Sequence, residues 1–250
     1  MNIGIYQSAA SLSALERWQD AVAQNITSAQ TTGYRKRSIQ FSSEVAGKWN
    51  LVPDAKVSSP DQEHEALFTR ANRSVNFLTG ETQPTRRELD VALQGEGFFE
   101  LNGPDGQKFY TRSGEFRLTP ERVLVGGDGF EVMTDAGNPV TLLPGEGAIT
   151  INQDGTIFQG ETALGKLGVY RFENTDGLIP AGGGLFISTP GAGRQPIDEP
   201  ELMQGYLEGS NVQPLREMVD LVIISRAYEA NQKIISTVDK QMEKTLEALG

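Results

Sequence analysis

The chain is 250 residues long, carries a formal net charge of −11, and contains no cysteine and a single histidine. The negative charge disfavours free nucleic acid and anionic membrane surfaces as partners, and the lack of cysteine excludes disulfides and thiolate metal sites. No stretch approaches about 18 consecutive apolar residues, and the N-terminus has no basic segment leading into an apolar one, so neither a membrane span nor a cleaved secretory signal is expected.

The first arm, Ile3 to Ala29, places Ile5, Ser8, Leu12, Leu15, Gln19, Val22, Ile26 and Ala29 at alternating spacings of three and four. Only Gly4 interrupts good helix formers, which predicts a long amphipathic helix ending at Thr31-Thr32-Gly33. Residues 35–84 differ: basic residues lead (Arg35, Lys36, Arg37), apolar content is thin, and Pro53 and Pro60 interrupt it. This segment reads as an extended connector, with VSSPDQEHEA an exposed loop.

Residues 85–205 hold 18 acidic and 9 basic residues, a net charge of −9, and most of the glycine and proline. Asp-Gly recurs at 105–106, 128–129, 154–155 and 176–177, between short runs of β-type residues. Asp-Gly supplies the positive φ of a two-residue hairpin turn, so an all-β barrel or sandwich is expected here. The last arm, Pro214–Leu249, has no glycine or proline after its first residue. Leu221, Ile224, Tyr228, Asn231, Ile235, Val238, Met242, Thr245 and Leu249 repeat by three and four, a heptad seam on a helix of about 50 Å.

Chemistry-bearing patterns are weak. His64 sits alone between Glu63 and Glu65, without the second ligand that a His–metal site or a Ser-His-Asp triad needs. One GGDGF (126–130) resembles a single turn of a calcium-binding β-roll, but such sites need stacked copies. No catalytic, cofactor or metal site is therefore expected. The reading is α+β: long N- and C-terminal helices forming a coiled-coil-like pair, with an inserted all-β barrel or sandwich. Its parts are residues 1–34 with 206–250 as a helical assembly domain, 35–84 as an extended connector or hairpin and 85–205 as an outer β domain.

Three separate motifs resemble those of bacterial flagellar rod and hook proteins. Ala9-Ala10 with QNITSAQTTGY (24–34) is similar to the family's N-terminal signature, and LDVALQGEGFFEL (89–101) with FYTRSGEFRL (109–118) to its central one. GYLEGSNVQPLREMVDLVIISRAYEANQKIISTVDKQMEKTLEAL (205–249) is similar to the C-terminal signature. Gln24 and Thr27-Ser28 depart from the family's usual residues. The resemblance implies a non-enzymatic subunit of the basal-body rod, with size favouring the proximal over the distal rod type. It implies terminal helices that self-associate into a tube and torque transmission with other rod and hook proteins. It also implies export by the flagellar type III apparatus to the periplasmic part of the basal body, without a cleaved signal. The residues assigned to the subunit interface are Ile5, Leu12, Leu15, Val22, Asn25, Ile26, Leu221, Ile224, Tyr228, Asn231, Ile235, Val238, Met242 and Leu249. The competing reading is an extracytoplasmic β-rich module, for instance glycan-binding, with coiled-coil oligomerisation arms.

Overall fold

A computed structural model describes residues 3–49, 64–145 and 147–249. Residues 57–63 of the loop read at VSSPDQEHEA lie outside the described residues, as do the side chains of Ile5, His64 and Leu249, and the last three residues of that loop, 64–66, instead begin a strand. The chain forms two compact units. One is Met1–Ile26, Arg37–Ser74 and Pro214–Gly250; the other is Thr27–Lys36 and Val75–Gln213.

In the first unit, helix α1 spans Ile3–Thr27 and helix α2 spans Pro214–Leu249. Pro214 suits the first helical position, where its missing N–H costs nothing, and Glu217 places an acid in the first turn, where the helix dipole favours it. Strands β1 (Arg37–Trp49) and β2 (His64–Val75) pair as a ribbon. Ser74 donates to the Ser38 carbonyl and Asn72 to Ser42, so the two run antiparallel.

The coiled-coil-like helix pair is not what forms. Leu15, Val22 and Ile224 make one small buried cluster, edged by Trp18, Ile26, Leu221 and Ala227. Beyond Ala227, the described residues of α2 are half-buried at best. The physical reason is that α1 has another partner. Trp18 meets Phe41 of β1 edge-on at 5.6 Å, and Arg17 donates to the Ala71 carbonyl of β2. The ribbon thus takes part of the surface that a continuous helix–helix seam would need. A three-four repeat specifies an apolar face but not what covers it.

The second unit is antiparallel β throughout its named strands, and it is neither a closed barrel nor a two-sheet sandwich. Its largest sheet has nine strands and open ends, with Phe98–Asn102 near its centre between Lys108–Thr111 and Glu131–Val132. A three-stranded sheet covers 149–166, and two two-stranded pairs join Val91–Gln94 to Glu201–Gln204 and Thr82–Pro84 to Tyr206–Glu208. Side chains of successive strand residues point to opposite faces, so Phe99 and Leu101 enter one buried cluster while Phe98 enters the other, against Tyr170, Phe172 and Phe186.

The Asp-Gly turns take a different form from the two-residue hairpin expected. The Asp-Gly loops 103–107, 126–130 and 152–156, and the Ala-Gly loop 134–138, share one geometry: the first N–H bonds the fifth carbonyl, and the fourth N–H bonds the first carbonyl. The fourth residue is a glycine with φ between +71° and +90°. This is a type I turn closed by a left-handed residue, a three-residue hairpin loop. The fourth Asp-Gly, at 176–177, lies instead in a 3₁₀ turn. Loop 119–123 repeats the pattern, but Arg122 holds the left-handed position at φ +66°. Such a conformation costs an L-residue roughly 1–2 kcal/mol. Arg122→Gly is therefore expected to stabilise the chain by up to about 1 kcal/mol after losing the guanidinium bond to the Leu143 carbonyl. A lowered denaturation midpoint would show that the side-chain bond outweighs the strain.

Candidate assembly interface

Asn25 has no exposed surface and is the point where α1, β1 and α2 meet. Its side-chain oxygen accepts from the Arg37 N–H at 2.8 Å, and its amide donates to the Arg37 carbonyl and to Glu217 Oε2, both at 2.8 Å. One carboxamide thus pairs with both backbone groups of a residue, as a neighbouring strand would, and fixes the start of α2 as well. Glu217 is also fully buried. A buried carboxylate is tolerated only with donors, which Asn25 helps to supply.

The other assigned interface residues divide by position. Leu15, Val22, Ile26, Leu221 and Ile224 come together in the α1–α2 cluster. Leu12, Tyr228, Asn231, Ile235 and Val238 are half-buried, and Met242 is exposed. Asn231 turns its amide back to the Ala227 carbonyl of its own helix at 3.1 Å.

One feature escaped sequence reasoning. Leu215, Met218, Val219, Val222 and Ile223 of α2 are between 49 and 80% exposed. At about 100° per residue they lie opposite the buried side marked by Glu217, Leu221 and Ile224. The signal was present, because the first third of α2 is apolar on both sides; the seam beginning at Leu221 describes only one of them.

In the second unit, the three sequence motifs converge on Glu208. Arg35 Nη2 lies 2.6 Å from Glu208 Oε1, Arg112 Nη1 lies 3.5 Å from Oε2, and the Gly80 N–H donates to Oε1 at 2.8 Å. All three charged side chains are almost wholly buried. Arg35 makes no aligned side-chain hydrogen bond among the described residues, so its charge is held by proximity to the carboxylate. Arg112 donates to the Leu93 and Gly95 carbonyls. Burial lowers its guanidinium to about 10, against the pull of Glu208, so it remains charged at neutral pH. Gly33 has φ +67° and bonds the Glu208 carbonyl; a Cβ there would lie 2.3 Å from the Ser113 nitrogen. Asn211 accepts from the Lys36 N–H at 2.6 Å and donates to the carbonyls of Asn76 and Leu78. The N-terminal, central and C-terminal motifs are thus the parts of one lock.

The aromatic residues that a glycan-binding face would need are used inside. Phe98, Phe99, Tyr110 and Phe116 are buried, and Phe109 and Phe130 stack at 4.8 Å against the core.

Comparison with known proteins agrees with these motifs. A family model for the C-terminal region of flagellar basal body rod FlgEFG proteins matches residues 203–248, and one for the D1 domain of the flagellar hook protein FlgE/F/G matches residues 92–159. The flagellar basal-body rod protein FlgF of Caulobacter vibrioides is 31% identical over 100% of this chain and 99% of its own length. FlgF of Rhizobium meliloti is 30% identical over the same shares. The basal-body rod protein FlgG of Agrobacterium fabrum is 32% identical over 88% of this chain and 89% of its own.

Proposed function

This chain belongs to the flagellar basal-body rod protein family, and from that premise we propose that it polymerises through its terminal helices into the axial shaft that transmits torque. It is a structural subunit of the basal-body rod. Its work is mechanical rather than catalytic, and its partners are further copies of itself and other rod and hook proteins. In this reading, residues 1–34 with 206–250 are the assembly domain, 35–84 brace neighbouring copies, and 85–205 face outward. The subunit occupies the periplasmic part of the basal body and passes through the flagellar type III export apparatus without a cleaved signal. The FlgF relatives match the chain over its whole length, which supports a rod protein of that type.

The observation that carries the proposal is the solvent-exposed apolar face of α2. Five exposed apolar side chains, on a helix whose opposite side is already packed, mark a surface that gains stability only by meeting another protein. Fully burying an exposed side chain of this kind contributes about 1.5–3 kcal/mol, and these five have between 49 and 80% exposure to lose. Replacing Val222 by Asp is expected to leave the monomer folded, since the position is exposed, and to abolish polymerisation and motility. Basal bodies with rings but no rod or hook, seen by microscopy, are the expected phenotype; normal swimming would refute the assembly role of this face.

A further inference from the structure

We propose that the exposed face of α2 docks on the exposed face of α1 of a second copy, head to tail. This rests on the assembly reading above and names the surface that receives α2. On α1, the exposed residues Ala9, Ser13, Glu16, Asp20 and Ala23 follow one another at spacings of four, three, four and three. They form a stripe opposite the side that packs Leu15, Val22 and the ribbon. On α2, the exposed Leu215, Val219, Val222 and Arg226 are spaced by four, three and four, flanked by Met218 and Ile223. The two stripes have the same period, so they can register along their length.

Their chemistry is complementary in size and in charge. The α1 stripe offers small side chains, which leave hollows, and two acids. The α2 stripe offers large apolar side chains, which act as knobs, and a base. Glu16 and Asp20 stand one helical turn apart on the same face, a like-charge pair that weakens an isolated helix. A cation from outside relieves that repulsion, and Arg226, within the apolar stripe, is placed to provide it. The same match disfavours the pairing of two α1 stripes, which would oppose acid to acid. A contact between different faces of identical chains leaves one free face at each end, so it propagates as an open filament wherever its rotation does not close a ring.

The test uses the whole chain. Arg226→Glu, and separately Glu16→Arg with Asp20→Arg, are each expected to raise the concentration needed for polymerisation at least tenfold. All three substitutions in one chain should restore it, because each copy presents both faces. Should the single-face variants polymerise like the parent, or the combined chain remain defective while folded by circular dichroism, the pairing is overturned. If Val222→Asp still blocks assembly in that event, the general role of the helices survives. Because the chain has no cysteine, Ser13→Cys with Val219→Cys gives a second readout. Oxidation should yield a ladder of multimers; dimers from Ser13→Cys alone, or no ladder, would contradict the head-to-tail contact.

Discussion

Replacing Glu208 by glutamine is expected to destabilise the β-rich unit by about 3–5 kcal/mol, the usual cost of removing one partner from a buried ion pair. The amide still accepts from the Gly80 N–H but no longer balances Arg35 and Arg112, two buried guanidiniums that already repel each other. For a chain of this length that cost corresponds to a fall in melting temperature of roughly 6–20 °C. Adding Arg35→Met to Glu208→Gln should recover part of the loss, since it removes the charge left stranded; a double-mutant cycle measures that coupling. A change below about 1 kcal/mol in Glu208→Gln would mean that the cluster is better solvated than its burial indicates.

The second large effect is expected at Asn25. Asn25→Ala removes three buried hydrogen bonds, two to the Arg37 backbone and one to Glu217. At roughly 1 kcal/mol each, with more where a charged group is left short of a donor, the cost is about 2–4 kcal/mol. Asn25→Asp should be worse at neutral pH, because it sets a second carboxylate against that of Glu217. Both variants should loosen the helical unit in particular, visible as earlier loss of helix on denaturant titration than of the β-sheet signal. Coincident, unshifted transitions would show that the clamp adds nothing to the hydrophobic cluster beside it.

These two sites show what was legible in the sequence. Asn25, Gly33, Arg35, Arg112, Glu208 and Asn211 all fall in or beside the motifs that carry the family resemblance, so their importance was visible. Their roles were not, because Asn25 meets a residue 192 positions away, and no local pattern encodes that distance. The strands Lys108–Thr111 and Thr156–Gln159 were readable from runs of β-type residues between Asp-Gly turns. Strands of two or three residues, such as Glu131–Val132 and Thr82–Pro84, are too short to show any alternation. The heptad seams correctly marked helices but suggested a continuous helix pair where only a short α1–α2 cluster forms, since a ribbon of thin apolar content takes part of the surface of α1. The outer face of α2 escaped because three of its residues, Leu215, Met218 and Val219, precede the seam and all five belong to the opposite side of the helix.

The clamps also set the order in which the chain can become itself. Lys36 is held by Asn211, 175 residues further on, and among the described residues Arg35 is paired with Glu208. Neither unit closes until residues beyond 205 are present, so a growing chain keeps its N-terminal arm unlocked until almost all of it has been made. Closure over such separations is slow relative to the forming of local hairpins, and the molecule is therefore one whose finished shape is decided last, by its C-terminal end.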